Sequence, residues 1–310
     1  MAARPLIIDC DPGVDDAVAL FLAFAAPDAL DILGITTVAG NVDALLTARN
    51  ARIIREMAGR DDVPVFAGAP TPLVRPPIIA DHFHGETGLG ALPVFEPRAA
   101  LAAGSAARAI VDLVMARAAG EVAIAVTGPF TNLALALKLE PALAAHLGPV
   151  VVMGGARSEG GNITASAEYN VYADPHAAQI VFASGCDVIT LGLDATHQVR
   201  ATPDRMEVLA GIKTRAGEAV FNLLTFGAEV ELKHAGTIGS PLHDPCTIAY
   251  LLAPHLFTSV PAIIRVETES ELTLGHTQVE FRGAEGSRTL WTTHADADGV
   301  FAMLYERLAR

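Results

Sequence analysis

Four aspartates stand within eight positions near the start of the chain, in the run L-I-I-D-C-D-P-G-V-D-D-A-V-A-L: Asp9, Asp11, Asp15 and Asp16. Like charges a few ångströms apart raise one another's pKa unless a cation or hydrogen bonds compensate. Asp15 and Asp16 could act as acidic residues in a helix's first turn, where negative charge is favoured. That role does not account for Asp9 and Asp11 at the end of a buried strand. A hard divalent cation does, and an all-oxygen ligand set points to Ca²⁺ or Mg²⁺ rather than zinc. A second titratable pair, His243-Asp244, precedes Pro245. Alone, such a pair could be an N-cap beside a neighbouring histidine.

The elements that must position these groups are readable around them. Residues 6–8 form a short apolar, β-branched run that suits a buried strand. Pro12-Gly13 is a turn signal, and good helix formers follow Asp16. The aspartates therefore fall at the C-terminal edge of a strand and in the first turn of a helix, where an open parallel sheet binds ligands. Further strands are predicted over 30–37, 63–67, 122–126, 150–153 and 187–193. Helices are predicted over 44–57, 105–119, 176–184, 214–231 and 298–308. This alternation implies an α/β fold: a mainly parallel, doubly wound open sheet with helices on both faces. Residues 260–268 and 271–281 alternate more and read as an antiparallel hairpin edging that sheet. No repeat or linker is visible, so the 310 residues read as one domain.

Other polar candidates lie near predicted strand ends. Asn41 sits just past residues 30–37, where its amide could reach a ligand or simply make a turn. Thr127 ends the run 122–126, and Thr131 reads as a helix N-cap. Met153 ends the run 150–153, where it could pack in the core or against a ligand. Asn162, Glu168 and Asn170 follow in a Gly-rich stretch without a phosphate-loop lysine. A carboxylate and two amides at strand edges suit a polyhydroxyl ligand. Residues 68–93 carry five prolines around D-H-F-H-G-E and are long enough for a lid. There His82, Phe83 and His84 could stack on a base, or His82 could be an ordinary surface residue.

Composition narrows the partners. The formal net charge of −14 argues against nucleic acid, which asks for a basic face. The chain is 51% hydrophobic, yet no apolar run approaches a membrane span. The opening residues lack a basic region followed by a small-residue cleavage site, which predicts a cytoplasmic protein. Three cysteines, Cys10, Cys186 and Cys246, do not form a disulfide pattern and read as buried thiols.

The run D-C-D-P-G-V-D-D resembles the D-x-D-P-G-x-D-D signature of the inosine-uridine-preferring nucleoside hydrolases. T-G-P-F-T-N at 127–132, M-G-G-A through A-E-Y-N and D-P at 153–175, and H-D-P at 243–245 resemble three further motifs of that family, in its order. The resemblance spans the chain. It implies hydrolysis of a ribonucleoside's N-glycosidic bond to ribose and a free purine or pyrimidine base, with Ca²⁺ as cofactor. It implies Ca²⁺ on Asp11, Asp16, Asp244 and the Thr127 carbonyl, with Asp11 as the base that takes a water proton. Asp15, Asn162, Glu168 and Asn170 would hold the ribose, Met153 would pack against it, and Asn41 would orient water or sugar. His84 would belong to the lid, and His243 would protonate or polarise the departing base, since an imidazole titrates near the needed pH. A homo-oligomer, dimer or tetramer, is also implied. One departure stands out. Relatives that prefer pyrimidine nucleosides carry tyrosines around 227–236, and this chain has His234 as the only ring there. A D-x-D phosphatase of the haloacid dehalogenase type would want Thr or Val at position 13, where Gly13 stands. A non-catalytic Ca²⁺-dependent sugar binder would need neither His243 nor a basic Asp11.

Overall fold

A computed structural model describes residues 2–310. Its central sheet has eight strands in the order β3-β2-β1-β4-β5-β6-β10-β7. These are β1 (Arg4–Cys10), β2 (Leu30–Thr37), β3 (Val65–Phe66), β4 (Ala123–Val126), β5 (Val150–Met153), β6 (Val188–Leu191), β7 (Phe257–Pro261) and β10 (Thr289–Ala295). Two further strands, β8 (Ile263–Val266) and β9 (Thr277–Glu280), form a separate sheet. Among the described residues, pairings in the large sheet are parallel except for β10 with β7.

The interior strands are continuous apolar runs because helices cover both faces. One apolar layer packs the helices Val14–Phe24, Ala44–Met57, Arg215–Ala235, Pro245–Leu252 and Ala297–Leu308. The other packs Ala106–Met115, Thr131–Leu139 and Pro175–Phe182, with Trp291 wholly buried among them. The helix Val14–Phe24 is buried almost all round, which explains its lack of a polar face. The helix Ala44–Met57 starts where Asp43 accepts from the Leu45 and Leu46 amides, both at 2.9 Å. Ser105 and Thr214 cap their helices in the same way.

Strand order reverses at β1. The chain moves outward through β2 and β3, then returns to β4 on the other side of β1. The ends of β1 and β4 therefore flank the switch-point crevice where ligands bind in such sheets. Register holds them level: Asp9 is opposite Val126, and Cys10 is opposite Thr37.

The structure adjusts two expectations. The hairpin is present, with Ile264 opposite Val279, but it stands apart from the main sheet. The antiparallel edge is instead β7, because β10 inserts beside β6 and presents its far side to β7 through Trp291 opposite Val260. Thr131 is the first helical residue rather than the cap, and its hydroxyl donates to Asp174 at 2.7 Å. Asp174 does start a helix, accepting from the Ala177 amide at 3.0 Å. No helix among the described residues is long and apolar enough to cross a membrane.

Candidate active site

Asp9, Asp11 and Asp16 are fully buried at the end of β1 and the start of the following helix. Each is held by neighbours from other strands. Asp9 Oδ1 accepts from the Thr36 hydroxyl (2.6 Å) and the Asn132 amide (2.8 Å), while Oδ2 has no partner. Burial pushes its pKa up to about 7. Asp16 accepts from the Asp11 and Gly13 amides (3.2 and 3.0 Å), the Thr127 hydroxyl (2.7 Å) and the Asn41 side chain (2.9 Å). Burial still raises its pKa, with Asp15 adding to the effect.

Asp11 receives one hydrogen bond on Oδ2, from the Asn41 amide at 2.8 Å, and its Oδ1 is buried with no partner. Burial, then Asp16, raises its pKa well above the usual carboxylate range. Space around it comes from glycine. A Cβ at Gly40 would lie 2.0 Å from Oδ2, and one at Gly128 would lie 2.6 Å from Oδ1. A Cβ at Gly13 would lie 2.5 Å from both the Asn41 side-chain nitrogen and His84 Nδ1.

Asp15, Asp16 and Asp244 each bring a carboxylate oxygen within 4.8 Å of the others. Burial, then Asp15, Asp16 and Asp11, raises the Asp244 pKa well above its ordinary value. Carboxylates this close are stabilised by a shared proton or by a bound cation. The chain can therefore hold a metal ion here. Asp15, expected on the ribose, lies in this triad, and the Asp11 carboxylate is not one of its three groups.

A cavity of about 480 Å³ opens above the cluster. The structure brings Asp15, Asn41, His84, Thr127, Met153, Asn162, Glu168, Asn170, His243 and Asp244 to its wall. Asp11 and Asp16 lie behind that wall. Thr127 directly follows β4, and its carbonyl accepts from Asn170 at 2.7 Å. Glu168 caps the short helix Tyr169–Ala173. Its oxygens accept from the amides of Asn170 (2.8 Å), Gly155 (2.9 Å) and Val171 (3.1 Å). Asn162 accepts from the Tyr169 amide at 2.9 Å.

Burial favours the neutral form of His84 and His243. The Val14 amide donates to His84 Nδ1 at 3.0 Å, and burial pushes the His84 pKa down to about 4. His243 Nδ1 lies 2.8 Å from the Thr196 hydroxyl. Burial, then the nearby His197 and Arg200, push its pKa down to about 3 rather than leaving it near neutrality. In the tautomer in which the Thr196 hydroxyl donates to Nδ1, Nε2 carries the proton and faces away from that bond.

The contact between Phe83 and His234 and the lining role of Tyr169 were not evident from sequence. Phe83 and His234 stack with ring centroids 5.3 Å apart, joining the lid segment to the helix Arg215–Ala235. Tyr169 donates to the Gly40 carbonyl at 2.8 Å and the Ile78 carbonyl at 3.2 Å, which fixes both sides of the cavity mouth. Its aromatic ring beside Glu168 was the only signal. His197 also lines the cavity, with Nδ1 3.0 Å from the Glu159 carboxylate.

Carboxylates at a strand switch point, amides around a polar cavity and neutral imidazoles above it define an enzyme site for a polyhydroxyl substrate. A family model described as inosine-uridine preferring nucleoside hydrolase matches residues 6–302. The pyrimidine-specific ribonucleoside hydrolase RihA of Salmonella agona is 42% identical over 309 residues, covering 99% of this chain and 98% of that one. Among solved structures, a plant nucleoside hydrolase, PpNRh1, superposes with a TM-score of 0.91 at 32% identity, covering 99% of both chains. The purine-preferring ribonucleoside hydrolase from Gardnerella vaginalis gives 0.92 at 30% identity, covering 99% of this chain and 98% of that one. The chain belongs to the inosine-uridine preferring nucleoside hydrolase family. It is a glycosidase that acts on the N-glycosyl bonds of ribonucleosides.

Proposed function

We propose that this enzyme is Ca²⁺-dependent and hydrolyses purine or pyrimidine ribonucleosides to ribose and free base. The observation that carries the metal assignment is the buried, unpartnered Asp11 Oδ1 at the same strand end as the converging Asp16 and Asp244 carboxylates. Buried charged oxygens without partners are costly, and a hard cation satisfies them. Asp11, Asp16, Asp244 and the Thr127 carbonyl would hold it. The mixed carboxylate and carbonyl set suits the irregular shell of Ca²⁺ better than the octahedron Mg²⁺ demands. Bound there, Ca²⁺ would supply the charge that keeps the carboxylates ionised and binds the ribose diol and a water.

The protein's own groups do the rest. Asp15, Asn162, Glu168 and Asn170 orient the ribose hydroxyls, Met153 packs against the sugar, and Asn41 fixes Asp11 while facing the cavity. Asp11 takes the proton of the attacking water. Its Oδ1 accepts no hydrogen bond within the protein, which leaves that oxygen free to take the proton. As the glycosidic bond lengthens, the sugar gains oxocarbenium character and negative charge moves onto the base. His243 offers Nε2–H to that departing base. A neutral imidazole is a weaker acid than imidazolium, so its main action is a hydrogen bond that strengthens as the charge develops. His84, in the lid, closes the cavity above Val14 and Asp15.

The test is direct: incubate the Ca²⁺-loaded enzyme with inosine and with uridine, and measure reducing sugar. Ribose release that chelation stops and Ca²⁺ restores supports the assignment. Full turnover by demonstrably metal-free protein would sink it.

A further inference from the structure

Opposite the carboxylates, the cavity is walled by one stripe of the helix Arg215–Ala235. Gly227, Val230, Glu231 and His234 fall at i, i+3, i+4 and i+7, and all four line the cavity. Val230 and the stacked rings of Phe83 and His234 offer flat apolar contact. Glu231 is the charged member of the stripe, and its side chain is only 16% exposed.

The Glu231 carboxylate is not free to turn. Its Oε1 accepts from the Arg200 guanidinium at 2.9 Å and from the Thr237 hydroxyl at 2.6 Å. The same Arg200 nitrogen donates to the Thr237 oxygen at 3.0 Å and to the Gly239 carbonyl at 2.6 Å. The latch thus ties the helix end to the loop that leads into His243. Among the described residues, no hydrogen bond ends on Oε2. One carboxylate oxygen of a cavity-lining residue is therefore left without a donor from the protein.

We propose that Glu231 reads the nucleobase and selects bases that carry an exocyclic amine, so that cytidine is preferred to uridine. This rests on the ribonucleoside hydrolase reading above. An ionised carboxylate accepts hydrogen bonds and donates none. The amine of cytosine projects from the ring and can donate to Oε2 in a charge-assisted bond. Uracil presents a carbonyl oxygen in the same place. Its one edge N–H is flanked by two carbonyl oxygens, whose lone pairs face the carboxylate.

The latch makes the consequence of one substitution directional. In Glu231→Gln the amide oxygen stays on Arg200 and Thr237, because both donate to it. The amide NH₂ then takes the place of Oε2 and donates into the cavity. The preference should invert, since a carbonyl now meets a donor and an amine meets a donor.

The measurement is kcat/KM for cytidine and uridine, on one preparation each of wild type, Glu231→Gln and Glu231→Asp. Wild type should favour cytidine on the order of 10-fold, the range of one charged hydrogen bond. Glu231→Gln should favour uridine, and Glu231→Asp, which withdraws the oxygen by one methylene, should move the ratio toward unity. Because each ratio is internal to a preparation, partial unfolding lowers both rates alike. A wild-type ratio near unity or favouring uridine overturns the proposal, whatever the variants do. An unchanged ratio in soluble Glu231→Gln also overturns it. Ribose release from inosine but from neither pyrimidine nucleoside overturns the role of Glu231 and leaves the hydrolase reading standing, no release from any of the three overturns both, and hydrolysis without discrimination overturns only the role of Glu231.

Discussion

Gly40→Ala adds one methyl group and should cripple the enzyme without removing any functional group. The backbone at Gly40 is not in the left-handed region, so alanine meets no conformational strain there. The obstacle is contact. Its Cβ would lie 2.0 Å from Asp11 Oδ2, 2.9 Å from Asp11 Cγ and 3.0 Å from Pro129 Cδ. Ordinary contact begins at 3.4 Å, so the Asp11 carboxylate must move by over an ångström. That shift breaks its 2.8 Å hydrogen bond from the Asn41 amide. A displacement of about 1 Å at reacting atoms costs roughly 10²-fold in rate. The lost charge-assisted hydrogen bond adds about 1.5–3 kcal/mol of destabilisation. We expect kcat/KM for inosine to fall at least 10²-fold, with a lowered melting temperature and weaker Ca²⁺ binding. Gly59→Ala is the control: φ there is +69°, and nothing lies within 4 Å of the added Cβ. It should cost about 1 kcal/mol of stability through backbone strain and leave kcat/KM unchanged. Activity of Gly40→Ala within threefold of wild type would refute the view that Asp11 is held in a fixed position for the reaction.

Asp16→Asn and Asp244→Asn should each weaken Ca²⁺ binding, read by calorimetry, and abolish ribose release. In chelated protein, Asp9 binds a proton more tightly folded than unfolded, with its pKa raised from 3.8 to about 7. Its contribution to stability is present below about pH 4 and is lost as pH rises toward about 7, so apo protein should melt higher at pH 5 than at pH 8. Asp9→Asn should flatten that slope, and a slope of the opposite sign in wild type would contradict the assignment. His243→Ala should cost roughly 10²–10⁴-fold with inosine and far less with p-nitrophenyl riboside, whose leaving group needs no help; equal losses would show that the histidine only shapes the cavity. Deoxyinosine should react on the order of 10²-fold more slowly than inosine under saturating Ca²⁺, because the missing 2′ hydroxyl leaves polar groups unpaired.

Much of this site was legible before any coordinates. Parallel strands buried on both faces must be apolar runs, and turn residues end them sharply. The segments 30–37 and 150–153 were therefore readable to the residue, and their ends placed Asn41 and Met153. Asp9 was harder, because its role depends on neighbours from two adjacent elements. Thr36 comes from β2 and Asn132 from the helix after β4, and only the strand order puts both beside β1. The Arg200–Glu231 pair is a contact across 31 positions with no local pattern, so sequence periodicity could not signal it. The main sheet's antiparallel edge was misplaced for a related reason. β7 and β8 are adjacent in sequence, and which of them joins the large sheet depends on pairing with β10, some thirty residues further on, which no local pattern signals.

The glycines around Asp11 show where pattern reading and packing part company. In sequence, Gly13, Gly40 and Gly128 look like turn residues, valued for backbone freedom. None of the three has positive φ, so that freedom is not what their positions use. Their missing Cβ atoms let Asn41 and His84 close on the turn at Gly13, and let Asp11 sit between Gly40 and Gly128. A buried carboxylate with one unpartnered oxygen would ordinarily relax toward solvent or a nearby donor. Here backbone stands where a side chain would give way, and the Asn41 amide holds the other oxygen. Asp11 is therefore kept in a position that is unfavourable without a cation. The same constraint that weakens the fold without a cation would hold Asp11 in place for its proposed role as base, which is why a single methyl group at Gly40 should cost the enzyme its rate.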